Sequence, residues 1–117
     1  MLARSDLRVG SAGELADAAT RSHLPDGRVV GWYGDPGLVI DAELSDAVPP
    51  LALASRFGAE DFWVRWTGAE CAAKIARVPM HLWLRGHGLG HEGAEVESFE
   101  RDGIVICVAR PVTEATA

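Results

Sequence analysis

Residues 62 to 76 read FWVRWTGAECAAKIA, and no other stretch of the chain says as much about its fold. The segment has few β-branched residues, carries apolar residues along its whole length and is followed closely by Pro79. Such a segment favours a helix that ends before the proline, because proline cannot continue a helix. We predict that these residues form the longest helix of the protein.

The charged residues of this helix draw attention to its C-terminal half. Lys74 is the only lysine of the chain, and the other ten basic residues are arginines. In a helix, Glu70 and Lys74 lie four residues apart on one face. Alone, such a pair is an ordinary surface ion pair worth ~0.3 kcal/mol. A second acidic motif gives the pair another interpretation.

That motif, Asp41-Ala42-Glu43, follows the apolar residues 38–40, which we predict to form a strand. Side chains alternate along a strand, so Asp41 and Glu43 point to the same side. Carboxylates held this close must take up protons or find a cation. Together with Glu70 they would offer hard oxygen ligands that suit Mg²⁺. A solvated turn is the more common role of a D-x-E pair, and that alternative stays open.

The N-terminal half is predicted to contain one short helix and one hairpin. Ser11 and Glu14 form a capping-box pattern at the start of the helix. Asp26-Gly27 turns into a strand at 28–33, and Pro36-Gly37 turns into a strand at 38–41. We expect these strands to pair with each other and the second to end at Asp41.

The C-terminal half is predicted to add a short helix at 51–57, a strand at 80–84 and a glycine-rich connection. Strands at 96–100 and 104–109, joined by Asp102-Gly103, form the clearest hairpin of the chain. Residues 1–117 are therefore expected to form a single α+β domain, with one main helix packed on a mostly antiparallel sheet.

Composition limits the classes of protein to which the chain can belong. Its 117 residues suit one domain, and 48% hydrophobic with 24% charged residues is typical of a globular protein. A net charge of -6 without a basic run argues against nucleic acid as a partner. No apolar run approaches the roughly 20 residues that span a bilayer, so we expect no membrane partner and a cytoplasmic location. Cys71 and Cys107 lack metal-type spacing and are expected to be reduced core residues.

Two other groups of residues have competing interpretations. His87, His91 and Glu92 are possible transition-metal ligands, but their spacing matches no zinc motif, and exposed histidines in a flexible loop are the more common case. The four tryptophans are possible stacking surfaces for an adenine ring, although core and interface anchors are the more common role of tryptophan in a small domain.

Three segments, read in order, resemble the motifs of the 4'-phosphopantetheinyl transferase superfamily. That family reads approximately S-H, then G-[IV]-D-x-E, then [FW]-[SCT]-x-K-E-[AS]-x-x-K. The corresponding residues here are Ser22-His23, Val39 to Glu43, and Phe62 to Lys74. The resemblance covers residues 22 to 78, about half the chain, and implies a single-lobe transferase-like fold.

The resemblance also implies a function and a set of site residues. The family moves the 4'-phosphopantetheine arm of coenzyme A to a serine of an acyl or peptidyl carrier protein. Asp41, Glu43 and Glu70 would be the metal ligands for Mg²⁺, with Glu70 also helping to remove the serine proton. Lys74 would act in catalysis and, with Ser22 and His23, would contact the coenzyme A phosphates. The basic residue Arg21 beside them is a further candidate for binding coenzyme A.

The same resemblance leaves an alternative function open. Ala69 stands where the family has a lysine, and only 24 residues separate Asp41 from Trp66, fewer than is usual in the family. These differences favour a non-catalytic module that binds coenzyme A or a carrier protein. A third alternative is a structural or assembly partner, in which the acidic cluster is only a solvated face. A single lobe also implies a homo-oligomer, a dimer or trimer, because coenzyme A binds between lobes in the family.

Overall fold

The computed structural model describes residues 4–112 and contains two antiparallel sheets and a layer of helices. The smaller sheet has the strand order β1 (Leu7–Gly10), β3 (Val29–Trp32), β2 (Thr20–His23). The main sheet has the order β4 (Val39–Leu44), β6 (Ile104–Pro111), β5 (Ala94–Arg101). Between β4 and β5 lie three helices, α1 (Leu51–Phe57), α2 (Phe62–Ala76) and α3 (Met80–His87). A 3₁₀ turn at Arg4–Asp6 precedes β1.

The main sheet is built around β6, whose residues from Ile104 to Ala109 are all buried. Its hairpin with β5 turns at Asp102 and Gly103, both of which have positive φ, as a tight two-residue turn requires. On its other side β6 pairs with β4, so Asp41 lies opposite Cys107 and Glu43 lies opposite Val105. The acidic strand is therefore fixed in register against the centre of the core.

The two faces of the main sheet pack against different layers. One face, which includes Ile40, Ala42 and Ile106, packs against residues of the smaller sheet such as Val30 and Trp32. The opposite face packs against α2, where Cys71 meets Cys107 and Ala109. Since side chains alternate, Asp41 and Glu43 belong to the helix-facing side.

Helix α2 packs closely because its buried positions are small. Ala69, Ala72 and Ala73 contact Trp83 of α3 and Ala94 of β5. The helix ends at Arg77, which has positive φ (58°) and donates its backbone N–H to the carbonyls of Ala73 and Lys74. Pro79 then starts α3. The predicted long helix is confirmed, as are the helix at 51–57 and the C-terminal hairpin.

The short N-terminal helix was predicted wrongly. The capping box itself forms: Ser11 N donates to Glu14 Oε1 (3.0 Å) and Glu14 N donates to Ser11 Oγ (3.1 Å). The chain nevertheless makes only turns here, and Ala19 N donates to the Trp32 carbonyl at 2.8 Å. Pairing of the following strand with β3 thus ends a segment too short to be stable as a helix by itself.

The predicted hairpin of the N-terminal half is also wrong, because its two strands belong to different sheets. β3 pairs with β1 and β2, whereas β4 pairs with β6 and continues to Leu44 rather than ending at Asp41. Asp35 fixes the connection by accepting hydrogen bonds from Gly37 N at its carboxylate (2.7 Å) and from Trp32 Nε1 at its carbonyl (2.8 Å). The turn therefore carries the chain from one sheet to the other.

Residues 80–84 form part of helix α3 and not the predicted strand. Pro79 occupies the position before the first turn, where it favours helix initiation. The helix buries a single residue, Trp83, whose indole N–H donates to the Gly90 carbonyl at 2.9 Å. One buried residue in eight fits a surface helix better than a buried strand. The predicted α+β class is confirmed, with three helices among the described residues in place of one main helix.

Residues 4–112 contain no helix that is both long and apolar enough to cross a membrane. Cys71 and Cys107 are buried and not disulfide-bonded, which confirms their predicted place in the core.

Candidate functional site

Strand β4 and helix α2 bring Asp41 and Lys74 into direct contact. The Lys74 ammonium lies 3.2 Å from Asp41 Oδ1 and donates a second hydrogen bond to the Ile40 carbonyl at 3.1 Å. The lysine side chain is 43% exposed, whereas that of Asp41 is 10% exposed. The only lysine of the sequence therefore joins the main helix to the acidic strand, with its charge at the surface of the protein.

Asp41 is a buried carboxyl group with an unsatisfied oxygen. Its Oδ2 is buried and has no hydrogen-bond partner. Burial raises the pKa of Asp41 to about 7, and repulsion from Glu70 and Glu43 adds to the increase, while Lys74 opposes it. The pKa of Asp41 thus lies in the range where a carboxyl group can exchange a proton near neutral pH.

Glu43 and Glu70 belong to the same electrostatic cluster. Burial raises the pKa of the half-buried Glu43, repulsion from Glu70 raises it further, and the attraction of Lys74 lowers it. Asp41, Glu43, Glu70 and Lys74 thus influence one another electrostatically on the face between β4 and α2, and Lys74 and Asp41 are in direct contact. We call these four residues the acidic cluster.

The surface ion pair between Glu70 and Lys74 is not formed. In the described part of the chain the carboxylate partner of Lys74 is Asp41, from the neighbouring strand. An i,i+4 pair needs only a helix, but this contact needs the helix and the strand to be packed together. The contact is therefore a tertiary one, and Lys74 has a role beyond solubility.

The acidic cluster has the oxygen donors that Mg²⁺ prefers. In the described residues, however, these donors are not arranged as a metal site. The cluster has three carboxylates, and Asp41 Oδ2 is a buried oxygen with no partner. Among residues 4–112, however, no three histidine, cysteine or acidic side chains lie close enough to hold a metal ion together. Lys74 also occupies the other oxygen of Asp41. The predicted metal ligands Asp41, Glu43 and Glu70 are therefore not assembled as a metal site among the described residues, and Lys74 competes with any metal for Asp41.

Strand β2 places the predicted coenzyme A contacts beside the acidic strand. Ser22 is buried, and its Oγ accepts a hydrogen bond from the Ala42 amide at 3.1 Å. Arg21 and His23, on either side of it, are exposed on the opposite face of the strand. Ser22 therefore joins the two sheets next to Asp41, while Arg21 and His23 are open to a ligand.

The histidines of the glycine-rich segment do not form a metal site in the described residues. His87 Nδ1 lies 3.3 Å from Glu92 Oε2, and the His87 ring stacks on Trp83 with 4.0 Å between centroids. His91 Nδ1 lies 3.3 Å from the Ala94 carbonyl. His87 belongs to the last turn of α3 rather than to a loop.

The four tryptophans have mainly structural contacts. Trp32 and Trp83 are buried in the core. Trp63 donates its indole N–H to the Ala47 carbonyl at 2.7 Å and packs edge-on against Phe62 at 4.9 Å. Trp66 stacks on Phe62 at 5.8 Å. The core interpretation is thus confirmed for Trp32 and Trp83, and Trp63 fixes the connection between β4 and α1.

The position of the two cysteines behind Asp41 was not predicted from the sequence. Cys107 is its partner across the strands, and Cys71 Sγ contacts the Cys107 carbonyl at 3.8 Å. The hydrogen bond with Cys107 raises the pKa of the Cys71 thiol, and burial raises it further. The only local hint is that Cys71 directly follows Glu70. These thiols help to exclude water from the inner side of the acidic cluster.

Comparison with known protein families, with curated proteins and with solved structures found no match to this chain. The function must therefore be inferred from the residues of the site and from the motif resemblance.

Proposed function

We propose that the protein transfers the 4'-phosphopantetheine arm of coenzyme A to a serine of an acyl or peptidyl carrier protein, with the help of Mg²⁺. One observation carries this proposal: Asp41 and Glu43 of β4 share one electrostatic cluster with Glu70 and Lys74 of α2. These residues come from two distant segments of the sequence. They are also the residues that the motif resemblance assigns to the reaction.

Each side chain of the acidic cluster has a property that the reaction needs. Transfer of a phosphoryl group needs positive charge near the phosphates and a base for the attacking hydroxyl. Lys74, with its side chain 43% exposed, supplies a cation that a phosphate can reach. Glu70 supplies a carboxylate that can accept the serine proton. Mg²⁺ would neutralise negative charge on the pyrophosphate if Asp41, Glu43 and Glu70 moved together to hold it.

The smaller sheet supports the same assignment. The Ser22 hydroxyl accepts a hydrogen bond from the Ala42 amide, which lies between Asp41 and Glu43 in the chain. This contact fixes β2 beside the acidic strand, while the exposed Arg21 and His23 alternate with Ser22 and point away from that strand. Of the three predicted coenzyme A contacts on β2, only Ser22 therefore faces the acidic strand.

A second candidate function is a module that binds coenzyme A or a carrier protein without transferring anything. The observation that favours it is the state of Asp41, which is bonded to Lys74 in a cluster that does not bring three metal ligands together among the described residues. Such a module would use Lys74 and the arginine of β2 for binding alone. A catalytic metal would then have no role.

Calorimetric titration of coenzyme A tests the proposal. We expect binding in the presence of Mg²⁺ that weakens when a chelator is added and when Glu70 is replaced by glutamine. Mass spectrometry of apo carrier proteins should then show the added phosphopantetheine. Binding without any transfer would favour the second function. Absence of binding under both conditions would contradict the transfer and any coenzyme A module, and would leave only a module that binds a carrier protein.

Lys74→Ala should weaken the binding of coenzyme A by about 1–3 kcal/mol, because it removes a charge-assisted contact to phosphate. The matched control is Arg85→Ala, which removes a positive charge from an exposed position of α3. Dissociation constants measured by calorimetry for both variants provide the test. Equal affinities for Lys74→Ala and the wild type would show that the lysine serves only the fold.

A further inference from the structure

A cavity of about 490 Å³ lies at the end of the helix-facing side of the main sheet, next to the first turn of α2. Phe62 and Val105 contribute apolar surface, Trp63 contributes an indole, and the segment before α1 closes one side. The volume falls within the range of roughly 300–1,000 Å³ typical of small-molecule sites. The cavity is open to solvent and can therefore admit a ligand.

The walls of this cavity are held by specific contacts. Trp63 Nε1 donates to the Ala47 carbonyl at 2.7 Å, which ties α2 to the segment before α1. Arg65 donates to the carbonyls of Phe57, Gly58 and Glu60 at distances between 2.7 and 3.0 Å, which fixes the turn between α1 and α2. The cavity is therefore formed before a ligand arrives.

The charged side chains that line the cavity are both acidic. Asp61 and Glu100 both line it, and its lining contains no lysine, arginine or histidine. Within residues 4–112, neither carboxylate has an ion pair, and the Asp61 side chain makes no hydrogen bond to cap α2. Two carboxylates without a cationic partner, placed beside an indole, favour a positively charged ligand.

We infer that this cavity binds an organic cation with an apolar body, such as a substituted ammonium compound. The apolar body would pack on Phe62 and Val105, while the cationic group would contact the Trp63 ring and the carboxylates of Asp61 and Glu100. This site differs from the acidic cluster, which has Lys74 and attracts phosphates. The inference does not depend on the proposed transfer reaction.

The cavity lies on the same face of the main sheet as the acidic cluster, but none of the four residues of that cluster lines it. Val105 of β6 lies between Glu43 of β4 and Glu100 of β5 in the register of the main sheet. A cation bound at Glu100 would therefore lie two strands away from Glu43, with Val105 between them.

The test is an NMR titration with benzyltrimethylammonium, using benzyl alcohol and benzenesulfonate as uncharged and anionic probes. We expect the cation to shift the indole N–H signal of Trp63, assigned with Trp63→Phe, and to bind at least about tenfold more tightly than either control. The indole signal of the buried Trp32 should remain unchanged. Equal shifts with all three probes, or no shift of the Trp63 signal, would overturn the inference.

Paired substitutions separate binding from folding. The double variant Asp61→Asn and Glu100→Gln should bind the cation at least about fivefold more weakly, because both opposite charges are removed. Glu97→Gln, on the other face of β5, should bind as the wild type does. An unchanged Trp32 signal will show that each variant is folded. Unchanged affinity in the double variant would contradict the role of the carboxylates.

Discussion

Asp41→Asn is expected to remove a large part of the pH dependence of stability between about pH 4 and 7. Burial, with Glu70 and Glu43 adding to it, raises the pKa of Asp41 from its ordinary value of 3.8 to about 7. The folded state thus binds this proton more tightly than the unfolded state. The stability that the proton contributes is complete below pH 4 and is lost as the pH rises through 7.

The size of the effect follows from the shift of the pKa. A change of the Asp41 pKa from 3.8 to about 7 corresponds to roughly 4 kcal/mol in the free energy of unfolding. Asparagine does not titrate. The free energy of unfolding of the variant should therefore increase relative to that of the wild type as the pH increases. Urea unfolding of both proteins between pH 4 and 8 measures this difference. Some pH dependence will remain in the variant, because the pKa of Glu43 is also raised.

Asp46→Asn is the matched control, since Asp46 is exposed and lies just beyond the end of β4. This variant should follow the wild type at every pH. If the stabilities of Asp41→Asn and the wild type changed in parallel with pH, Asp41 would have an ordinary pKa. Burial would then not perturb the proton affinity of the Asp41 carboxyl group.

Glu70→Gln is expected to reduce phosphopantetheine transfer by at least about 100-fold, because the proposed base for the serine hydroxyl is lost. The fold should be retained, since Glu70 is only half-buried and an amide has nearly the same shape. Transfer to an apo carrier protein, followed by mass spectrometry, measures the loss. Transfer at the rate of the wild type would exclude Glu70 from the mechanism.

The same variant has a second readout that does not depend on activity. Repulsion from Glu70 raises the pKa of Asp41 and of Glu43, so removal of its charge should lower both values. Carbon NMR of the carboxyl groups during a pH titration provides the measurement. Glu60→Gln, at an exposed position before α2, should leave both pKa values unchanged. If Glu70→Gln also left them unchanged, Glu70 would lie outside the acidic cluster.

Local patterns in the sequence were sufficient for the elements whose stability is mainly local. The small and straight side chains of α2, the prolines before α1 and the Asp102-Gly103 turn each specify a structure with few competing contacts. The predictions failed where distant strands decided the outcome. The segment after Ser11 forms turns instead of a helix, because the chain that follows it pairs with β3. The strands β3 and β4 belong to two different sheets.

The candidate site could likewise be predicted only where the local repeat of a helix or a strand decides which side chains share a face. Strand alternation placed Asp41 and Glu43 on one side, and the helix repeat placed Glu70 and Lys74 on one face. Nothing in these periodicities indicated that Lys74 would bind Asp41 rather than Glu70. The cavity beside Trp63 gave no sequence signal either, because its walls come from three separate segments.

The sequence by itself determined which side chains share a face, because the repeats of helices and strands are properties of the local backbone. The tertiary structure decided which faces meet and how much water remains between them. Packing of α2 on β4 brought Lys74 to Asp41 and buried that carboxyl group. Because the pKa of a carboxyl group depends on burial and on neighbouring charges, the chemistry of Asp41 was set only when the helix and the strand came together.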